Sequence, residues 1–141
     1  MKKLSLEYMA GLFDGEGYIT INKNKGSFVP VCGIKMNGLN LIKTISENFG
    51  GNFYSVKKYV NRPTTQWSIR GAYQVKNFLL KIEPYLIIKK EQAKLCLELC
   101  DTYSIRNSEN KWIKKIKLNQ KIISLRKEYI SKIKEEKLKV A

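Results

Sequence analysis

The sequence predicts an α+β fold in which a four-stranded antiparallel sheet carries helices on one face. Three observations predict it. Polar and apolar residues alternate in two pairs of segments, near residues 18–37 and 52–71, and period-two alternation marks half-buried strands. Apolar residues recur at helical spacing before, between and after those pairs. One set of strand positions is largely apolar, and the other carries Tyr, Thr, Asn, Ser, Lys, Gln and Arg, so only one sheet face suits a helical layer.

Residues 5–13 read as a short helix, with Leu6, Met9, Ala10 and Phe13 on one face. Asp14-Gly15-Glu16-Gly17 is turn chemistry and is expected to stop it. Residues 18–23 form a strand with Tyr18, Thr20 and Asn22 on one side and Ile19 and Ile21 on the other. After a loop at 24–27, residues 28–37 form a second strand. There Cys32, Ile34 and Met36 alternate with Val31, Gly33 and Lys35, although Pro30 and Gly33 are unfavourable. Residues 39–49 are an amphipathic helix built on Leu39, Ile42, Ile45 and Phe49 and ended by Gly50-Gly51. A third strand, 52–60, is read with Phe53, Ser55, Lys57 and Tyr59 on one face and Tyr54, Val56 and Val60 on the other. Asn61-Arg62-Pro63 turns into a fourth strand, 65–71, with Trp67 and Ile69 inward and Gln66, Ser68 and Arg70 outward.

Helices follow at 73–82, stopped by Glu83-Pro84, and at 88–103, with Ala93, Leu97 and Cys100 on the core face. Residues 105–111 read as a polar linker, and 112–138 as a Lys- and Ile-rich helix. The chain reads as one domain, residues 1–141, with a core over about 1–104 and a C-terminal helical extension over about 112–138.

Composition narrows the function. With 27 Lys and Arg against 12 Asp and Glu, the formal charge is +15, and such a field on a small domain favours a polyanion. A solvated lysine-rich surface, a membrane surface and an acidic protein are the other readings of charge alone. The chain has no His, which removes His-ligated metal sites, zinc fingers and histidine general bases. Cys96 and Cys100 lie four apart on an apolar helix face without further soft ligands. They read as reduced, buried thiols of an intracellular protein, of a bacterial or archaeal cytoplasm or an organelle. No run of about 18 apolar residues exists, and Glu7, Asp14 and Glu16 interrupt the segment after the basic N-terminus, so neither a membrane span nor a secretory signal is expected.

The segment Met9-Ala10-Gly11-Leu12-Phe13-Asp14-Gly15-Glu16-Gly17 carries the chemistry. Gly11 and Gly15 are four apart with Ala10 beside them, and small residues on one helix face admit a second helix closely. Glu16 follows a helix C-terminus, where unpaired carbonyls already make the potential negative. This segment resembles the nine-residue signature of the LAGLIDADG homing endonucleases. Ala10, Gly11 and Leu12 match its positions two to four, Asp14 its first acid, Glu16 its second and Gly17 its last glycine. The α-β-β-α-β-β-α order of about the first hundred residues matches as well.

The resemblance implies an αββαββα fold whose sheet binds double-stranded DNA. With one motif copy it implies a homodimer, joined through Leu6, Met9, Ala10, Gly11, Phe13 and Asp14, and a long, nearly palindromic target. Dimerisation sets two Glu16 carboxylates side by side, and divalent cations relieve their repulsion. The implied ion is Mg²⁺ or Mn²⁺, held by Glu16 and the Gly15 carbonyl, with Ca²⁺ binding but not supporting cleavage. Asp14 is expected to shape the helix end rather than to ligate metal. Lys89 matches a lysine at the start of the helix after the second strand pair and joins Glu16 as catalytic. Met36 stands where many members carry a Gln late in the second strand, which leaves Lys35, Asn37 or water for that polar role.

The expected DNA contacts are Tyr18, Thr20, Asn22, Asn24, Lys35, Asn37, Ser55, Lys57, Tyr59, Gln66, Ser68 and Arg70, with Lys23, Lys25, Lys58 and Arg62 reaching phosphates. Phe53, Tyr54 and Trp67 read as core. The implied activity is that of an intron-encoded, site-specific DNA endonuclease. The alternatives are an intron maturase that binds RNA, and a DNA-binding protein of the same fold without catalysis; the intact Glu16 argues against the second.

Overall fold

A computed structural model describes residues 2–56, 64–107 and 109–139. In chain order they form α1 (Leu6–Glu16), β1 (Gly17–Asn24), β2 (Ser27–Met36), α2 (Leu39–Phe49), β3 (Asn52–Val56), β4 (Thr64–Arg70), α3 (Ala72–Ile82), a 3-10 turn (Glu83–Tyr85), α4 (Lys90–Cys100), β5 (Ile105–Arg106), β6 (Trp112–Lys114) and α5 (Gln120–Lys139). Strands β1 to β4 make one antiparallel sheet in the order β1-β2-β4-β3. This is the α+β architecture expected, with the helices gathered on the apolar face.

Local chemistry accounts for the boundaries. The Ser5 side chain caps α1 by accepting from the Tyr8 amide at 3.1 Å. The expected stop at Asp14 does not occur, and the helix continues to Glu16. The Asp14 carboxylate does not compete for its own backbone. It accepts from the amides of Ile87 at 2.8 Å and Lys89 at 3.0 Å instead. Gly17 ends the helix. Its amide donates to the Phe13 carbonyl, and any Cβ there would collide with the Phe13 ring. The β1–β2 hairpin turns through Lys25 and Gly26, both at positive φ, the pair of conformations that suits a two-residue hairpin loop.

The core lies between the sheet and α1 to α4. Ile19, Cys32, Ile34, Trp67 and Ile69 point into it from the strands. Phe78 of α3 is its hub, with edge-on contacts to Phe13, Phe49 and Trp67 at 5.5, 5.5 and 5.3 Å between ring centres. The Trp67 indole N–H donates to the Gly50 carbonyl at 2.7 Å, so this large buried side chain leaves no polar atom unsatisfied. Cys32, Cys96 and Cys100 are free, buried thiols.

The C-terminal third differs from the sequence reading. Residues 105–111 are not a linker, and 112–138 are not one helix. β5 and β6 pair as a small hairpin, with Ile105 buried. Asn107 organises its turn, its side-chain oxygen accepting from the amides of Glu109 and Lys111, both at 3.0 Å. Ser104 then holds the chain extended by accepting from the Ile116 amide at 2.7 Å. Helix α5 starts only where Asn119 can cap it, through the Ile122 amide at 2.9 Å. It packs on α4 with Ile133 buried. No helix among the described residues is long and apolar enough to cross a membrane.

Candidate nucleic-acid interface and metal site

The sheet face away from the helices carries the side chains that could meet DNA. Tyr18, Thr20 and Asn22 of β1 and Gln66 and Ser68 of β4 are half-buried there, while Lys35 and Arg70 are exposed. A hydrogen-bonded chain crosses this face. The Tyr54 hydroxyl donates to the Gln66 carbonyl oxygen at 3.0 Å, and the Gln66 amide nitrogen donates to the Tyr18 hydroxyl at 2.6 Å. Tyr18 reaches β4 by lying flat over β2. That path requires Gly33, because a side chain there would strike the Tyr18 hydroxyl and the Trp67 carbonyl. Burial raises the Tyr18 phenol above its ordinary value. Lys23 and Lys25 are exposed near and at the hairpin turn, Asn24 ends β1, and Asn37 is exposed one residue beyond β2.

One strand was assigned the wrong way round. Asn52 pairs with Ser68, Phe53 with Trp67, Tyr54 with Gln66 and Ser55 with Thr65. Paired residues share a face, so Tyr54 lies on the polar side and Ser55 on the helix side with buried Thr65. Ser55 therefore does not join the polar face, and Tyr54, which was read as core, does. Alternation within β3 could not decide this, since both sets mix aromatic and polar residues. Lys57, Lys58, Tyr59 and Arg62 lie outside the described residues.

The chemistry concentrates at one end of the sheet. Glu16 is exposed as the last residue of α1. Lys89 immediately precedes α4, and its ammonium donates to the Asp14 carbonyl at 2.6 Å, which anchors it on the last turn of α1, the helix that Glu16 ends. Burial lowers the Lys89 ammonium below its ordinary value, against the opposing pull of the Asp14 and Glu16 charges. The β1–β2 register pairs Gly17 with Ile34, and the next residue of β2, Lys35, pairs with Gln66 of β4 on the polar face. Met36 instead turns inward and packs on the core. Of the candidates for the missing glutamine, Lys35 is the one held in a strand on the polar face.

The donors here are hard oxygens, namely the Glu16 carboxylate and the carbonyls of the last turn of α1. Gly17 and Lys89 take the Phe13 and Asp14 carbonyls, so the next along the turn is that of Gly15. Carboxylate and carbonyl oxygens suit Mg²⁺ and its like, which also keep several waters. Among the described residues no group of three or more His, Cys, Asp or Glu could hold a metal.

The expected dimer face also needs correction. Met9, Ala10 and Phe13 are fully buried and Asp14 is nearly so, all within their own chain. They pack toward the sheet and α3, or hold the turn before α4, and cannot meet a partner. The outward stripe of α1 is Tyr8, Gly11, Leu12 and Gly15, at spacings of three and four. Leu6 is half-buried at the start of the helix. Of the six residues expected, Gly11 is the one fully displayed.

Comparison with known proteins agrees with the fold. The homing endonuclease I-CvuI in complex with its target superposes with a TM-score of 0.73 at 16% identity, covering 93% of this chain and 80% of that one. The archaeal intron-encoded homing endonuclease I-Vdi141I, complexed with DNA, gives 0.73 at 19% identity, covering 93% and 82%. I-SmaMI bound to an uncleaved DNA target in the presence of calcium gives 0.69 at 20% identity, covering 94% of this chain but 45% of that one. At such identities the likeness is one of fold. No curated protein sequence matches the chain significantly. A family model described as LAGLIDADG endonuclease matches residues 9–97, from the first residue of the motif into α4. The match takes in most of the chain, including Glu16 and Lys89, and the chain belongs to the LAGLIDADG endonuclease family.

Proposed function

We propose that the chain is a site-specific homing endonuclease that acts as a homodimer, laying duplex DNA along the polar sheet face and cutting it with divalent ions at the paired ends of α1. The observation that carries this reading is the position of Glu16. It ends a helix with a bare outer stripe and directly precedes the strand that opens the polar face. Nothing lies within 4 Å of a Cβ built at Gly11 or Gly15. A glycine inside a helix costs about 1 kcal/mol relative to Ala, so this chain alone has no use for either one. A second α1 packed across a two-fold axis does. Ile87 and Ile88, exposed beside Asp14, add apolar area to the same end.

Pairing brings two Glu16 carboxylates together at two negative helix ends, an arrangement that calls for cations. Glu16 and the Gly15 carbonyl would hold a divalent ion, which would supply an activated water and offset the charge on the leaving oxygen of the phosphodiester. Lys89, tethered to the Asp14 carbonyl, presents a positive charge and a proton donor at the scissile phosphate. Lys35 takes the polar role that Met36 cannot. Support for the ions and the substrate comes from relatives: I-CvuI was captured on its own target with calcium and, with the DNA not cleaved, on the I-CreI target with magnesium, and I-SmaMI on an uncleaved target with calcium. The intron-encoded I-Vdi141I supports encoding within an intron.

The test is cleavage of a randomised duplex library with Mg²⁺ and with chelator, followed by sequencing of the ends. Metal-dependent double-strand breaks at one long, nearly palindromic site are expected. Glu16→Gln should lower the rate by at least about a thousandfold, some 4 kcal/mol of barrier, while duplex binding persists. Tight binding by the wild type without cutting would reduce the chain to a DNA-binding protein of this family. Binding only to structured RNA would make it an RNA-binding one.

A further inference from the structure

The sheet explains how the centre of a DNA site is held but leaves the β5–β6 hairpin without a role. This hairpin sits at the end of the sheet opposite Glu16. The Tyr103 hydroxyl, just before β5, donates to the Phe28 carbonyl at 2.6 Å, and Phe28 pairs with Lys23 near the tip of the β1–β2 hairpin. Lys23 lies seven steps along the chain from Glu16, about 23 Å at the usual strand rise. A cleft of about 450 Å³ opens between the hairpin and the end of β4. Arg70, which belongs to the polar face, also lines this cleft, together with Tyr73, Gln74, Tyr103, Arg106 and Trp112. The cleft thus continues the polar face outward.

Its charge and rigidity both fit an anionic backbone. Residues 105–117 carry Arg106, Lys111, Lys114, Lys115 and Lys117 against the single carboxylate of Glu109. Trp112 is 45% exposed, yet its ring is covered by cations. The Arg106 guanidinium lies 4.0 Å from the ring centre and the Lys115 ammonium 5.3 Å. Stacking of this kind holds a long side chain in place, so less conformational freedom is lost when it meets a phosphate. The hairpin is itself moored to the body. Lys114 donates to the Asp101 carbonyl at 2.8 Å, and Ser104 and Ile116 exchange hydrogen bonds.

We infer that the β5–β6 hairpin is a second DNA clamp, which grips the sugar-phosphate backbone outside the stretch read by the sheet through Arg106, Lys111 and Lys115. The inference rests on the DNA-cutting reading above and assigns the outer margin of that same site. With the cut at the Glu16 end, the sheet spans about seven base pairs of a half-site before the duplex reaches the hairpin. Contacts there are to phosphates, so the clamp adds affinity and registers length but not base identity.

The test uses the full-length Glu16→Gln protein and the duplex recovered from the cleavage selection, in two lengths. One is trimmed to the stretch covered by the sheet, and the other is extended by several base pairs of unrelated sequence at both ends. The extended duplex should bind at least about 10-fold more tightly, with a logarithmic salt slope steeper by about 2. Adding Arg106→Gln, Lys111→Gln and Lys115→Gln should abolish both differences and leave binding of the trimmed duplex unchanged. A control triple, Lys121→Gln, Lys127→Gln and Lys134→Gln on exposed positions of α5, removes the same charge and should keep both differences. Equal binding of the two lengths, or an equal loss in the control triple, overturns the clamp while the endonuclease reading stands. So does a hairpin variant that loses affinity only for a structured RNA competitor. Failure of the protein to bind any duplex sinks the parent reading, and the clamp with it.

Discussion

Asp14 shows how one buried carboxylate can join two segments far apart in the chain. It lies buried at the junction of α1 with the segment before α4, and both of its oxygens accept backbone amides. Its own carbonyl receives the Lys89 ammonium. Removing the side chain leaves two amides that have lost a charged acceptor. Asp14→Ala should therefore lower stability by about 2–4 kcal/mol in urea denaturation, and should release Lys89 from its place beside Glu16. A variant as stable as the wild type would show that the segment holds without this link. The motif made both acids visible as a pair of residue types. Their division of labour was legible only in part, because the partners of Asp14 come from more than seventy residues further along the chain. Gly33 makes the same point: its reason is the Tyr18 ring lying over it, which no local pattern records.

At the scale of elements, α1 has two faces with opposite duties. Met9, Ala10 and Phe13 secure it to the core with Leu12 packed at its margin, and Tyr8, Gly11 and Gly15 are exposed, the side on which the proposed partner would dock. Substituting the outer stripe separates folding from assembly. A Cβ at Gly11 meets no neighbour in its own chain, and Gly11→Leu improves helix propensity by about 0.8 kcal/mol, so the monomer should melt no lower than the wild type. The dimer should be lost, as sedimentation of the two proteins at equal concentration would reveal. If Gly11→Leu remained dimeric, the subunits would have to meet elsewhere. Gly17→Ala is the contrasting case, because a Cβ there drives into the Phe13 ring and should damage the fold itself.

For the whole molecule, α5 closes the helical layer over α4. Ile133 is buried in the core, and the Arg126 guanidinium lies 3.9 Å above the Tyr103 ring while also donating to the Thr102 carbonyl at 2.8 Å. Ile133→Ala should cost about 2–5 kcal/mol. The thiols report on the same region. Burial pushes the Cys32 thiol well above its ordinary value, and a hydrogen bond to Cys100 together with burial does the same for Cys96. A raised thiol stays protonated until higher pH, so raising the pH from about 7 to 9 should speed labelling of the native protein far less than that of a free thiol. Denaturant should expose all three thiols at once. Rapid labelling of the native wild type would mean that the α4–α5 layer opens readily.

The sequence by itself determined the classes of the main elements, the polarity of the sheet faces over β1, β2 and β4, the charge that seeks a polyanion, and the motif with Glu16 at its end. These features are local, since periodicity, charge and a nine-residue spacing can be read within short windows. Only the tertiary structure decided the rest. It set the face of Tyr54 and Ser55, the core-facing side of α1, the anchoring of Lys89 on the last turn of α1, the inward turn of Met36, and the hairpin hidden in an apparent linker. Each depends on register or packing between residues far apart in the chain, where one step along a strand or a third of a turn of helix reverses which way a side chain points.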